Sequence, residues 1–206
     1  MFSFEKNIKF LNLPQLDHEL VQEIVRLAEK IQPDFSSINW LENFHKKNIK
    51  AVSEIYARDN AVLPGHLQDK IKQLYQPYFS AAVTPIIGIF ENIYKDSWSE
   101  CPPHCDRQRK LAINYIVNTG GCNVLTCFYN NKRISESLEL SESALHENLS
   151  LDFKVRLPDQ VWHAYGVQTY HSVENIQTKR IILSLYLEDN IDYNDFIKLH
   201  NHLLYE

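Results

Sequence analysis

Between residues 84 and 189 the chain breaks into short runs rich in branched and aromatic residues, at 85–94, 110–117, 123–129, 151–157, 160–167 and 180–187. Turn residues punctuate them: Gly120-Gly121 divides two runs, Asn130-Asn131 ends another, and Pro158-Asp159 makes a tight connection between two more. Many short strands, with helices gathered at one end of the sequence, describe an antiparallel sandwich or barrel that carries helices on one outer face. The expected fold class is therefore mainly β with flanking α.

The helices belong to the first eighty residues. In 16–31, Leu20, Val21, Ile24, Val25, Leu27, Ala28 and Ile31 recur at helical spacing among charged residues, so this face must pack on something. A second helix is expected after Pro64, which suits a first-turn position; Leu67, Ile71, Leu74 and Tyr75 share one side until Pro77 stops it. Residues 35–60 are ambiguous. A closing helix is read over 192–205, with Phe196, Ile197, Leu199, Leu203 and Leu204 available for burial. A chain of 206 residues, 44% hydrophobic, suits one substantial core. A single domain over 1–206 is expected, with a helical part (1–83), a β core (84–189) and a closing helix (190–206).

Glycine is sparse, with 5 residues, and no repeat or low-complexity run appears, which excludes disordered and solenoid classes. A formal net charge of -5, from 21 basic and 26 acidic residues that are interspersed, offers no footprint for a nucleic-acid backbone. Glu5, Lys6 and Lys9 interrupt any signal-like apolar run, and no stretch is long enough to cross a bilayer, so a cytoplasmic location is expected. In that setting Cys101, Cys105, Cys122 and Cys127 read as reduced thiols. A zinc site built from Cys101, His104 and Cys105 is the lesser alternative, because paired C-x-x-C or H-x-x-x-H spacings are absent.

His104 and Asp106 are two apart, and in an extended chain such residues project to one side, so both can reach one metal ion. Alone this pair is common by chance. His171, in Tyr170-His171-Ser172-Val173, adds a third donor and completes a set of two imidazoles and one carboxylate. Such a facial set suits iron(II) and leaves positions open on one side of an octahedron. Arg180 follows nine residues later and opens a strand on which Ile182 and Ser184 share its face, while Ile181, Leu183, Leu185 and Leu187 make the opposite face wholly apolar. A planar guanidinium matches a carboxylate bidentately, and Ser184 stands where it can donate to the same oxygens. The bland alternative is a strand-end arginine in solvent or paired with Glu188 or Asp189.

The stretch HSVENIQTKRIILSLYLED (171–189) resembles the distal-histidine strand of the 2-oxoglutarate-dependent iron(II) dioxygenases, prolyl-hydroxylase-like branch. There the histidine is followed nine residues on by the basic 2-oxoglutarate residue, and four later by Ser or Thr. PPHCDRQRKLAINYIVNTGG (102–121) is similar to the same branch where H-x-D leads into a strand facing the cosubstrate. The resemblance spans 101–189 and covers neither end of the chain. It implies a double-stranded β-helix (jelly-roll) core, metal ligands His104, Asp106 and His171, and Arg180 with Ser184 on 2-oxoglutarate. It also puts Asn114 inward, with Tyr115 on the other face as the alternative. The branch often carries an inward tyrosine near Ile116, which this chain lacks.

His163 competes as third ligand, but no basic residue follows it at the right distance, and a partly buried structural histidine is the better reading. Trp162, Tyr165 and Tyr170 read as core or pocket wall. Arg107 and Arg109 read either as binders of an anionic substrate or as solvated loop charges. What the resemblance implies is a dioxygenase using Fe(II), 2-oxoglutarate and O2, with ascorbate as reductant, hydroxylating an amino-acid or peptidyl side chain through a ferryl intermediate. The substrate is a small molecule or a peptide, and the polar segment 130–148 is expected to select it. Two alternatives are a non-catalytic jelly-roll module that binds metal or carboxylate, and a cupin-like metalloenzyme that makes no use of 2-oxoglutarate and for which Arg180 is dispensable.

Overall fold

The apolar runs become the strands of two antiparallel sheets. A computed structural model describes residues 8–31, 53–56, 63–91, 99–106, 109–132, 142–143 and 148–205. The larger sheet runs in the order β1 (Ile8–Phe10), β9 (Trp162–Gly166), β5 (Leu111–Asn118), β11 (Arg180–Leu187), β3 (Val83–Glu91) and β2 (Ser53–Tyr56). The smaller has the order β7 (Glu142–Ser143), β4 (Ser99–Cys105), β10 (Thr169–Ile176), β6 (Leu125–Lys132) and β8 (Leu151–Val155). From β3 to β6 and again from β8 to β11 successive strands alternate between the two sheets, while β6, β7 and β8 all lie in the smaller one; this is the winding of a double-stranded β-helix.

Alternation along each strand sorts side chains into two interiors. On β11, Ile181, Leu183, Leu185 and Leu187 join the main core, as do Ile113, Tyr115 and Val117 of β5 and Trp162 and Ala164 of β9. That core lies between the larger sheet and the helices α1 (His18–Lys30) and α2 (Gly65–Tyr75), which bring Leu20, Val21, Ile24, Ala28, Leu67 and Ile71 to it. Trp162 ties the layers together, since its indole N–H donates to the Pro14 carbonyl at 3.0 Å and its ring meets Tyr75 edge-on at 4.7 Å. The opposite faces of the same strands look into the space between the sheets. There Phe128, Phe153, Val155 and Leu157 pack with Ala112 and Ile116, while Phe90, Val173, Ile176 and Ile182 form a second small cluster.

Several expectations need correction. The first eighty residues are not wholly helical: β1 and β2 are sheet-edge strands, too short to carry a legible period, and β2 falls in the ambiguous segment. Helix α1 starts at His18 because the Asp17 side chain accepts from the Leu20 N–H at 2.7 Å and caps it. Pro77 lies within a 3-10 turn (Gln76–Tyr78) after α2 has ended. The closing segment is two pieces, α3 (Tyr193–Leu199) and a 3-10 turn (Asn201–Leu203). His200 leaves helical geometry at φ -112, ψ 31 and stacks its ring on Phe196 at 4.6 Å. Leu199, expected to be buried, is consequently 59% exposed. Most of 130–148 and all of Arg107 lie outside the described residues.

Candidate metal centre

His104 sits on β4 and His171 on β10, directly opposite one another across the ladder of the smaller sheet. Cross-strand neighbours on one face are within side-chain reach, and the two rings lie 4.4 Å apart between centroids. Asp106 stands just past the end of β4, where its backbone N–H donates to the Val167 carbonyl at 3.1 Å. Its Oδ1 is 3.4 Å from Nε2 of His104 and 3.3 Å from Nε2 of His171, and all three donor atoms lie within 4.8 Å of one another. All three residues are buried.

The tautomers follow from the outer hydrogen bonds. His104 Nδ1 lies 2.8 Å from the Pro102 carbonyl and His171 Nδ1 lies 3.3 Å from that of Thr169. A carbonyl only accepts, so each Nδ1 is placed to donate outward, the tautomer that leaves the Nε2 lone pair for a metal at the centre. Burial, then the proximity of His104, hold His171 below the ordinary imidazole range and keep it neutral. Burial alone would push Asp106 up. The Arg109 guanidinium and the two imidazole edges outweigh it, so the carboxyl lies well below the usual carboxylate range. Two lone pairs and an anionic oxygen aimed at one point repel each other unless a cation lies between them, and this donor set therefore fits a divalent metal.

The same pocket, about 470 Å³ with its mouth included, is bounded by Arg180, Ser184, Asn114, His163 and Tyr165 and by an apolar wall that includes Phe90, Val173 and Ile182. Arg180 is 3% exposed and donates from a terminal nitrogen to the Thr119 carbonyl at 3.1 Å. Its Nε is buried with no partner among the described residues. Burial lowers this guanidinium to about 10, the direction expected for a cation taken out of water. The solvent-exposed or Glu188-paired arginine is thus not what the fold makes. Gly120 packs against it, where an added Cβ would fall 2.8 Å from Cβ of Arg180.

The face ambiguity at 114–115 resolves by register: Asn114 opposes Ser184 and His163 and faces the pocket, whereas Tyr115 packs in the main core. Ser184 Oγ lies 2.6 Å from Asn114 Oδ1, the length of an O–H donor on a carbonyl, and Asn114 Nδ2 lies 3.2 Å from the Tyr165 hydroxyl, suiting an N–H donor. The chain of donation thus runs from Ser184 through Asn114 to Tyr165. The Tyr165 hydrogen is left without a partner among the described residues and beside the pocket.

Other candidates are placed as clearly. His163 is 1% exposed, more deeply buried than the sequence reading expects. It stacks on Tyr165 and stands outside the donor cluster, and burial lowers it to about 3. Cys101 meets His104 at Nδ1, 3.6 Å away and on the side turned from the centre, so no cysteine joins the cluster. Arg109 is no solvated loop charge: its Nε lies 2.5 Å from Asp106 Oδ2, with the side chain 13% exposed. The acid and base three residues apart hold the signal for this pair, but spacing alone does not say which way a loop turns. Tyr165 is pocket wall, as read, yet its role as the last donor of a chain exists only across three strands.

No family model matches the chain, and no curated protein matches it in sequence. In structure it is similar to the non-heme alpha ketoglutarate dependent epimerase SnoN from nogalamycin biosynthesis, with 12% identity, coverage of 89% of this chain and 80% of that one, and a TM-score of 0.53. SnoN in complex with Fe3+, alpha ketoglutarate and nogalamycin RO gives the same identity and coverage and a TM-score of 0.52. A Trichoplax adhaerens prolyl hydroxylase, in complex with a hypoxia inducible factor oxygen degradation domain peptide fragment, matches at 10% identity, 91% and 86% coverage and a TM-score of 0.48. The likeness to SnoN establishes the fold: a double-stranded β-helix with helices on one face.

Proposed function

We propose that the chain is an iron(II)- and 2-oxoglutarate-dependent oxygenase that hydroxylates an amino-acid or peptidyl side chain. One observation carries the reading: a convergent His–Asp–His donor set and a buried arginine with an unpartnered Nε open onto one pocket. Neither half is stable on its own terms. The donor set calls for a divalent cation, and Arg180 calls for an anion; a 2-oxo dicarboxylate that reaches from metal to arginine answers both. SnoN, which shares the fold, has been captured with Fe3+ and alpha ketoglutarate and supports the choice.

In this reading His104 and His171 offer Nε2 lone pairs and Asp106 offers Oδ1. When bound, iron(II) and 2-oxoglutarate supply the oxidising chemistry: dioxygen is reduced as the 2-oxo acid becomes succinate and carbon dioxide, and the remaining oxygen atom goes to the substrate. The chain's own residues bind, orient and exclude water. Arg180 holds the far carboxylate, with its N–H groups pre-set by the Thr119 carbonyl and by Gly120 at its back. Ser184 and Asn114 turn the Tyr165 O–H outward as a further donor. Phe90, Val173 and Ile182 keep the pocket dry and strengthen each of these contacts.

Succinate formation from 2-oxoglutarate by the purified protein, with iron(II) and ascorbate, tests the reading without a known substrate. Turnover in wild type that disappears in both His104→Ala and Arg180→Ala is the expected result. Failure of wild type to bind either iron(II) or 2-oxoglutarate sinks it.

A further inference from the structure

A carboxylate can hold a divalent ion through one oxygen or both, and the choice decides how many positions remain for anything else. Around Asp106 the two oxygens have different neighbours. Oδ1 is turned towards the Nε2 atoms of His104 and His171, at 3.4 and 3.3 Å, while Oδ2 is held by Arg109 Nε at 2.5 Å. Arg109 is fixed in turn. Its carbonyl accepts from the Gln168 side chain at 2.6 Å, the Lys110 carbonyl accepts from the Val167 N–H at 3.1 Å, and the Lys110 N–H donates to Asn190 Oδ1 at 3.0 Å. Asp106, Arg109 and Lys110 are thus each bound to the β9–β10 turn, which sets where the Arg109 side chain meets the carboxylate.

Charge accounts for only part of this pair: the guanidinium holds the carboxyl ionised, yet it also repels a metal bound to the same carboxylate. Geometry accounts for the rest. On an octahedral ion, two imidazoles and a one-oxygen carboxylate leave three open positions, whereas a two-oxygen carboxylate leaves two. A chelating 2-oxo acid would fill both of those and leave none for a third ligand. We propose that Arg109 is a positioning residue: it occupies Oδ2 so that Asp106 binds the metal through Oδ1 alone, and it thereby keeps a third coordination position open. This rests on the metal site of the oxygenase reading and concerns denticity rather than turnover.

The test uses the metal-free full chain loaded with Mn(II), with affinity measured by calorimetry and exchangeable metal-bound waters counted by electron-nuclear resonance in isotopically labelled water. Wild type should carry three waters. Arg109→Gln should carry two, hold Mn(II) as tightly as wild type or more so, and bind 2-oxoglutarate about tenfold more weakly, the low end of what disturbing an outer-shell partner does. A residue that merely held the loop would lose Mn(II) affinity when replaced, the opposite sign. Two waters in wild type, three in the variant, or loss of Mn(II) binding in the variant each overturn the proposal. Wild type that holds Mn(II) with three waters but does not bind 2-oxoglutarate leaves this inference standing and removes the oxygenase reading instead.

Discussion

Replacing Arg180 by methionine, which matches its stem in length but carries no charge, should make the ligand-free protein more stable and nearly unable to bind 2-oxoglutarate. The lowering of this guanidinium from 12.5 to about 10 corresponds to about 3 kcal/mol of penalty on the charged form in the fold. It is lodged in a residue only 3% exposed, so solvent screening discounts it little. Against this stands the bond to the Thr119 carbonyl, a charge-assisted contact of about 1.5 kcal/mol or somewhat more, whose loss also leaves that carbonyl short of a donor. The balance is a gain of about 1 kcal/mol in the variant, or roughly 2–4 °C in melting temperature for a domain of this size. Ligand binding moves the other way: truncating one member of a buried charge pair costs about 2–5 kcal/mol, so the dissociation constant should rise by roughly 30-fold or more. Thermal melts of metal-loaded protein, with and without 2-oxoglutarate, read both effects, because a ligand that binds only the folded state raises its melting temperature. A destabilised Arg180→Met, or one still shifted upward by 2-oxoglutarate as far as wild type, refutes the reasoning: Arg180 would then be a structural residue with its charge satisfied.

Three further outcomes follow from the same geometry. Tyr165→Phe keeps the ring that packs on Phe128 and removes only the last donor of the Ser184–Asn114–Tyr165 chain, so 2-oxoglutarate binding measured by calorimetry should weaken by about 1 kcal/mol, roughly fivefold, with metal affinity unchanged. Gly120→Ala places a Cβ 2.8 Å from Cβ of Arg180 at a φ of +83; it should lower stability by at least about 1 kcal/mol and weaken 2-oxoglutarate more than the metal. His163, held near 3 by burial, cannot take up a proton in the fold, whereas the unfolded chain does so near 6.5. Its contribution is therefore complete above pH 6.5 and is lost at about 1.4 kcal/mol per unit as pH falls towards 3. Urea melts of His163→Leu should show a shallower acid loss than wild type between those limits, and an unchanged slope would mean that the imidazole is solvated.

The strand content and the two clearest helices were legible because each rests on local information, and His104, Asp106, His171 and Arg180 were singled out by their spacing together with the resemblance over 101–189. Period-two alternation on 180–187 separates Arg180 and Ser184 from four core residues without any knowledge of the partner strands. Helix periodicity in 16–31 does the same for Leu20 and Ile24. Pairing was less legible. Strands β1 and β2 are edge segments whose hydrogen bonds are made with residues far along the chain, and three or four residues carry no period. The break at His200 likewise depends on ring packing against Phe79 and Phe196.

At the site the sequence determined which donors exist and which of them share one face of a strand. Only the tertiary structure decided what each donor is bonded to. Asn114 and Tyr115 are equally polar neighbours until β5 takes its register against β11 and β9. Arg109 reads as either an anion binder or a solvated charge until Asp106 and Lys110 bond to Val167 and its Nε meets Asp106. The unpartnered Nε of Arg180 is a fact about surroundings and not about the residue, since it depends on which groups the fold brings within reach. Short-range alternation is written into the chain residue by residue, whereas hydrogen-bond partners and desolvation are properties of neighbours that folding alone supplies.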